Sequence, residues 1–492
     1  MKALKKLTLK AGVEIHQQLD TKNKLFCDCL ARLSQDEPVR REIRKLRAVV
    51  GELGKVDIAA AYEAVKGKEF EYLVYEKESC EVELDEEPPH ALNPEAMEIG
   101  LKIALMLNCE IPNEIQVMRK TVLDGSNTTG FQRTALVGLN GWMDTSFGKV
   151  GITSVMVEED ACQLINRGEN KVIYGLDRLG IPLVEIGTTP DMSNPEQVME
   201  AAEKLGMILR STGKVKRGLG TIRQDVNVSV PGGARVEIKG VQDLRNIPKM
   251  VELEAKRQNS ILSGGKRVPR EVRRVRADLT TEFMRPMPSA ARLYPETDIT
   301  PIRIEKAYIE QLKTKLPELL NEKEERLKLQ YSLHPEIAKQ IVKSGRAEVF
   351  EYLAEFAEPK VLATTLTSTL TQLKREGVDV DRLENEHFRE VFELLKKGSI
   401  AKEAIPDTLT EFSKHPKEKI KEVAKKMAGK SVFQGDVKDV VQKIISDNPE
   451  AMNAPRPEKV YMGLVMKELR GKVSGKVIMD ILLRELKGKR KP

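Results

Sequence analysis

At 492 residues, with 82 Lys and Arg against 75 Asp and Glu, the chain is too long for one ordinary hydrophobic core and carries a formal net charge of +7. No stretch approaches the ~20 apolar residues of a membrane span, and the N-terminal MKALKKLTLKAG lacks the apolar run and cleavage site of a signal peptide. Five cysteines in so long a chain argue against a disulfide framework and point to a reducing cytoplasm.

LTLKAGVEIHQQL (7–19) reads as a strand. Glu14 and His16 share one face of it, opposite Val13 and Ile15. A carboxylate beside an imidazole suits a divalent cation or an acid/base pair. Cys27, Cys29 and Cys80 offer three thiolates, with His90 as the remaining candidate ligand. Structural zinc takes four ligands, commonly as two close pairs, and only one pair is present, so zinc is disfavoured. Asn93-Pro94-Glu95 opens a helix to about Asn108, with asparagine as cap and proline at the first helical position. The loop Asp124–Gly130 (DGSNTTG), with Ser126, is flanked by Arg119, Lys120 and Arg133, and is either a phosphate cradle or a turn.

The strand GKVGITSVMVEED (148–160) ends in Glu158-Glu159-Asp160, and IPLVEIG (181–187) buries a lone carboxylate, Glu185, that needs a partner or a metal. Glu14, His16, Glu159 and Glu185 form one cation site if the fold gathers them; separately satisfied charges are the alternative. Oxygen ligands favour Mg²⁺, and the histidine also suits Mn²⁺. A second Asn-Pro-Glu, at 194–196, opens a helix to Gly213.

RQDVNVSV, PGG and ARVEIK (223–239) predict a hairpin. Pairing Val230 with Ala234 sets Ser229 opposite Arg235, Asn227 opposite Glu237 and Asp225 opposite Lys239. The resulting polar face is either a solvated surface or the floor of a polar active site. Residues 258–280, charged and poorly patterned, read as a linker or the scar of a missing insert. After residue 301, Lys/Glu-rich apolar spacing predicts helices, among them 309–330 and 387–398, with breaks near 429–436 and 452–457. The expected organisation is α+β: a mixed or antiparallel-sheet cradle (1–300), an all-α domain (301–428) and a small helical tail (429–492). From Lys467 to Pro492 nine Lys or Arg face three Asp or Glu, which suggests a polyanionic partner such as nucleic acid, or a solubilising tail. No P-loop or GxGxxG fingerprint is present, so any ATP is held by another architecture.

Taken together, GVEIHQQLDTKNKLF (12–26), RKTVLDGSNTTGFQRT (119–134), VGITSVMVEEDA (150–161), LDRLGIPLVEIGTTPD (176–191), GTIRQDVNVSV…ARVEIKG (220–240) and MRPMPSAARLYPETDI (284–299) resemble the B/E family of tRNA-dependent amidotransferase subunits. DGSNTTGFQRT, DEEPPH and MRPMPSAARLYPETDI resemble its archaeal E branch, and ELRGKVSGKVIMDILLREL resembles the family's helical tail. The resemblance implies ATP-dependent conversion of glutamyl-tRNA(Gln) to glutaminyl-tRNA(Gln) through a γ-phosphoryl intermediate. It also implies ammonia from an asparaginase-like D subunit in a heterotetramer of two copies of each, and ATP and Mg²⁺ as cofactors. The family's cation ligands fall on His16, Glu159 and Glu185, with Glu14 beside them. Asp225, Glu237 and Lys239 are then expected on the cradle floor, and Arg119, Lys120, Ser126 and Arg133 near phosphate. E-branch relatives carry an extra domain before TTEFMRPMP; here RQNSILSGG passes to VPREVRR with no room for it, and the second cysteine pair of zinc-bearing relatives is absent. An aspartyl-tRNA(Asn) amidotransferase subunit and a non-catalytic tRNA-binding subunit are the alternatives.

Overall fold

Alternating apolar and polar residues along the strands decide the architecture of the first part of the chain. The computed structural model describes residues 8–48, 50, 54–289, 292–415, 420–429, 434–469 and 475–489. The described strands are β1 Lys10–Gln18, β2 Arg40–Arg44, β3 Glu69–Val74, β4 Glu114–Ile115, β5 Val117–Thr121, β6 Phe131–Thr145, β7 Gly148–Glu159 and β8 Gln163–Arg167. They continue as β9 Lys171–Gly175, β10 Pro182–Thr188, β11 Ile222–Ser229, β12 Val236–Val241, β13 Glu271–Val275, β14 Thr281–Pro286, β15 Leu293–Pro295 and β16 Ile302–Arg303. The chain divides into two compact units, residues 1–319 and 320–492.

In the first unit a ten-stranded sheet runs β14-β13-β12-β11-β1-β10-β7-β6-β5-β15, antiparallel except for the parallel pair β12–β13. One face is apolar: Val13, Ile15, Ala135, Val137, Val155, Val157, Val184, Ile186, Val226, Val228, Val236 and Ile238 are all buried in one core. Helices α2 Pro94–Met106, α3 Pro195–Ser211 and α4 Ile247–Ser263 cover it. Full burial of one such side chain contributes about 1.5–3 kcal/mol. Helix α2 lies so close that a Cβ on Gly100 would come 2.4 Å from Val157 Cγ2.

Both Asn-Pro-Glu starts behave as their chemistry dictates. Asn93 Oδ1 accepts from the N–H of Glu95 and Ala96, and Asn194 Oδ1 from that of Gln197. With the apolar face covered by helices, the polar alternates share the other face. The predicted hairpin register holds at Asn227–Glu237; a bulge between Gln224 and Val226 follows, and Asp225 still meets Lys239.

A smaller sheet, β2-β3-β9-β8, has its own apolar cluster around Phe70, Tyr72, Val172 and Tyr174. Its tyrosines pin the DGSNTTG loop: Tyr72 donates to the Gly125 carbonyl at 2.9 Å and Tyr174 to that of Asp124 at 3.0 Å. Gly125 has φ +84°, and a Cβ there would strike Phe70, so two constraints demand glycine.

Two expectations need correction. Residues 258–280 are not a linker: they finish α4 and form β13, which extends the main sheet. The predicted helix 309–330 is broken into α5 Lys306–Lys313 and a separate helix Leu320–Gln330, with Pro317 between them. Proline lacks the N–H a helix interior needs.

The second unit is helical among its described residues, with the expected helix at 387–398 seen as Asn385–Lys396. It contains two separate apolar clusters, one from Leu327 to Met427 and one from Val437 to Leu486. Of the predicted break at 429–436, residues 430–433 lie outside the described residues, as do residues 470–474 and 490–492 of the basic terminal block; the one at 452–457 falls between the short helix Pro449–Asn453 and the helix Pro457–Leu469. No described helix is long and apolar enough to cross a membrane.

Candidate functional site

The polar face of the large sheet forms the floor of a cleft of about 450 Å³. Register gathers its side chains: His16 pairs with Glu185 across β1–β10, and Glu14 with Asp225 across β1–β11. His16 Nε2 lies 3.1 Å from Glu185 Oε2 and 3.4 Å from Glu14 Oε1.

The third carboxylate at this point is Glu158. It is fully buried and accepts from Thr134 Oγ1 at 2.6 Å and Gln132 Nε2 at 2.8 Å. Lys120 bridges it to Glu185, 3.0 Å from the latter. The donor atoms of His16, Glu158 and Glu185 all lie within 4.8 Å of one another, close enough for one cation. Glu159, expected in that place, points to the opposite face, where it accepts from the Arg133 backbone N–H at 2.9 Å and pairs with its guanidinium at 3.2 Å. The strand period explains this: Val155, Val157 and Glu159 share the core side, Met156 and Glu158 the cleft side.

Electrostatics set the state of the cluster. Burial alone would raise the Glu185 pKa, but Lys120 and then His16 hold it well below the usual carboxylate range. Burial opposes the charge on His16, yet hydrogen bonding and charge from Glu185, then Glu14 and Asp225, raise its pKa above 6.5. Glu14 is pushed up to about 7 by burial and then by Glu185. Beside these groups Lys239 Nζ sits 2.5 Å from Asp225 and 2.8 Å from Glu237, a compact ion triad at the floor.

Of the residues expected near phosphate, Lys120 and Ser126 line the cleft. Arg119 and Arg133 do not: both grip buried Glu296, at 2.5 and 2.9 Å, on the far side of the sheet. The free cations of the cleft wall are others. Among the described residues Arg285 and Arg292 line it without an ion pair, Arg292 Nε donating to the Thr121 carbonyl at 3.2 Å, and Arg235 donates to the Met287 sulfur at 3.0 Å. Sequence reasoning placed Arg235 on the polar hairpin face but missed Arg285 and Arg292, because nothing in the spacing of residues 284–299 says which side chains turn inward. Glu158 could have been found by carrying the alternation one residue past the core-facing Val157.

The thiols gather as well. The donor atoms of Cys27, Cys29, Cys80 and Glu83 lie within 4.8 Å of one another, so Glu83 and not His90 is the fourth group; exposed His90 pairs with Glu87 at 3.3 Å. Hydrogen bonds from Cys27 and Cys29 lower the Cys80 thiol pKa, and the Cys27 thiol is raised in turn.

The chain matches a family profile described as the GatB/GatE catalytic domain over residues 9–310, and one described as the GatB domain over residues 348–486. It is 38% identical to the E subunit of glutamyl-tRNA(Gln) amidotransferase from Methanocaldococcus jannaschii over 623 positions, covering 98% of this chain and 99% of the relative. The same-named proteins of Methanococcus maripaludis strain C7 and Archaeoglobus fulgidus are each 36% identical, over 98% of this chain and 99% and 98% of their own length. An alignment of 623 positions exceeds the 492 residues here, so that relative carries sequence this chain lacks. The polar cleft therefore lies within the matched catalytic domain, and the chain belongs to the GatB/GatE family.

Proposed function

We propose that this cleft converts glutamyl-tRNA(Gln) to glutaminyl-tRNA(Gln) with ATP. The observation that carries the reading is the layout of charge: a buried centre of His16, Glu158 and Glu185 beside a wall with free arginines. A carboxylate is a poor electrophile, so an amide bond needs prior activation. The side-chain carboxylate oxygen of the glutamyl group attacks the γ-phosphorus of ATP and ADP leaves. Ammonia then attacks the carbonyl carbon, inorganic phosphate departs, and a proton passes from nitrogen to a cleft carboxylate.

One nitrogen and two carboxylates within reach of one point fit a divalent cation, and His16, Glu158 and Glu185 would hold it. Bound Mg²⁺ or Mn²⁺ would offset charge on the phosphates. Lys120 supplies positive charge beside that centre, while Arg285 and Arg292 meet phosphate oxygens as charge shifts to the leaving group. Lys239, held by Asp225 and Glu237, keeps the floor neutral enough for an anionic substrate. Ammonia comes from an asparaginase-like D subunit, in an assembly of two copies of each chain.

Glutaminyl-tRNA formed by the chain from charged tRNA(Gln), ATP, Mg²⁺ and free ammonium, and lost in His16→Ala, is the expected result. Asparaginyl-tRNA from aspartyl-tRNA(Asn) as the preferred product would overturn the choice of substrate.

A further inference from the structure

Beside the catalytic cleft, and joined to it through Arg285, Arg292 and Met284, lies a second cavity of about 220 Å³. Its carboxylates are already occupied. Asp57 caps helix α1, Ile58–Ala64, and accepts from Ser289; Glu63 holds Lys66; Asp124 accepts from Ser126. Its cations are less so: Lys68, Arg285 and Arg292 have no ion pair among the described residues. The cavity therefore presents net positive charge next to a site that handles phosphate.

One aromatic side chain, Phe283, lines it. Tyr62 and Phe283 pack edge to face with ring centroids 6.1 Å apart, and Lys66 lies over Tyr62 at 4.6 Å. Tyr62 is 38% exposed, Phe283 49% and Met284 37%. The markedly exposed aromatics among the described residues are Tyr62, Phe283 and Tyr352; Phe283 lines this cavity, and Tyr62 supports it from outside. Aromatic faces interleaved with unpaired cations are the means by which proteins hold unstacked nucleotides: bases stack, and the backbone follows the charge.

We propose that this cavity seats the unpaired 3′-terminal nucleotides of the RNA substrate, with a base on Phe283 and backbone phosphates on Lys68, Arg285 and Arg292. The inference rests on the amidation reading, since it delivers the acylated end of the RNA to the adjoining cleft. The connection through Arg285 and Arg292 makes the two arginines shared: they meet the last phosphate on one side and the reacting phosphoryl group on the other.

The test uses the full chain and two hairpin RNAs with the same stem, one blunt and one carrying about four unpaired 3′ nucleotides. The unaltered chain binds the overhang form more tightly. Phe283→Ala weakens that form about tenfold and leaves the blunt form unchanged, in keeping with the loss of one stacked base. Phe283→Tyr restores binding, Lys68→Glu lowers its salt dependence, and KM for ATP does not move in Phe283→Ala. Equal affinity of the unaltered chain for the two hairpins, or equal weakening of both by Phe283→Ala, overturns the proposal. A raised KM for ATP with overhang binding intact also overturns it, and assigns the cavity to the nucleoside triphosphate. Loss of the overhang preference in Phe283→Ala, in a chain that amidates no acylated tRNA, refutes the reaction and leaves the cavity's assignment standing.

Discussion

Glu158 and Glu159 are adjacent in sequence and opposite in role. Glu158 meets His16, Glu185 and Lys120 in the cleft, whereas Glu159 clamps Arg133, which also holds Glu296. Glu158→Gln is expected to lower the amidation rate by about 10²–10³-fold with little change in melting temperature, because it removes charge where phosphoryl transfer needs it. Glu159→Gln should instead cost about 1–3 kcal/mol of stability and leave kcat nearly intact, since it weakens a buried hydrogen-bonded ion pair. Steady-state kinetics and thermal melts of both variants check this, and a larger kinetic loss in Glu159→Gln would reverse the assignment. Parity along the strand was legible in VGITSVMVEED; choosing between neighbouring glutamates required applying it up to the last residue of β7.

At the scale of single elements, local chemistry was a good guide where it acts locally. The two Asn-Pro-Glu caps and the polar hairpin face followed from side chains meeting their own backbone or their cross-strand neighbours. It failed at 258–280, whose many charges suggested a linker. Buried Glu254 accepts there from Arg257, Gln258 and Thr281, so tertiary partners neutralise what looked solvated.

The helix Asn385–Lys396 carries a pH-sensitive cap. Buried His387 accepts at Nδ1 from the Glu384 N–H at 3.1 Å, and its Nε2 has no hydrogen-bond partner among the described residues. Only the neutral ring can accept there, and burial lowers its pKa below 6.5. The unfolded chain therefore binds a proton that the folded chain refuses, and stability falls as pH drops below about 6.5 toward the folded value. Denaturant unfolding of the helical unit at pH 7.5 and 5.5 should show this loss, and His387→Gln should flatten it. An equal acid loss in His387→Gln would place its origin elsewhere.

At the scale of the whole molecule, the terminal helices have an apolar cluster of their own, Val437 to Leu486, separate from the cluster that ends at Met427. Removing residues beyond 429 should therefore leave the catalytic unit folded. We expect this truncation to raise KM for charged tRNA, to leave KM for ATP unchanged, and to make the fall of RNA affinity with salt shallower, because fewer phosphates are neutralised. An unchanged salt slope would deny the basic terminal block a role in RNA binding.

What the sequence determined by itself was whatever short-range rules govern: the α+β class, the helix starts, the polar hairpin face, and the presence of carboxylates and a histidine suited to a cation. Only the tertiary structure decided which of them meet. Ten strands had to be ordered before His16, Glu158, Glu185 and Lys120 could share one point, and that order comes from contacts between strands far apart in sequence. The same ordering turned Arg119 and Arg133 away from the cleft and brought in Arg285 and Arg292. An arginine reads the same in sequence whether it anchors a buried glutamate or waits for phosphate; the face of the sheet it stands on makes the difference.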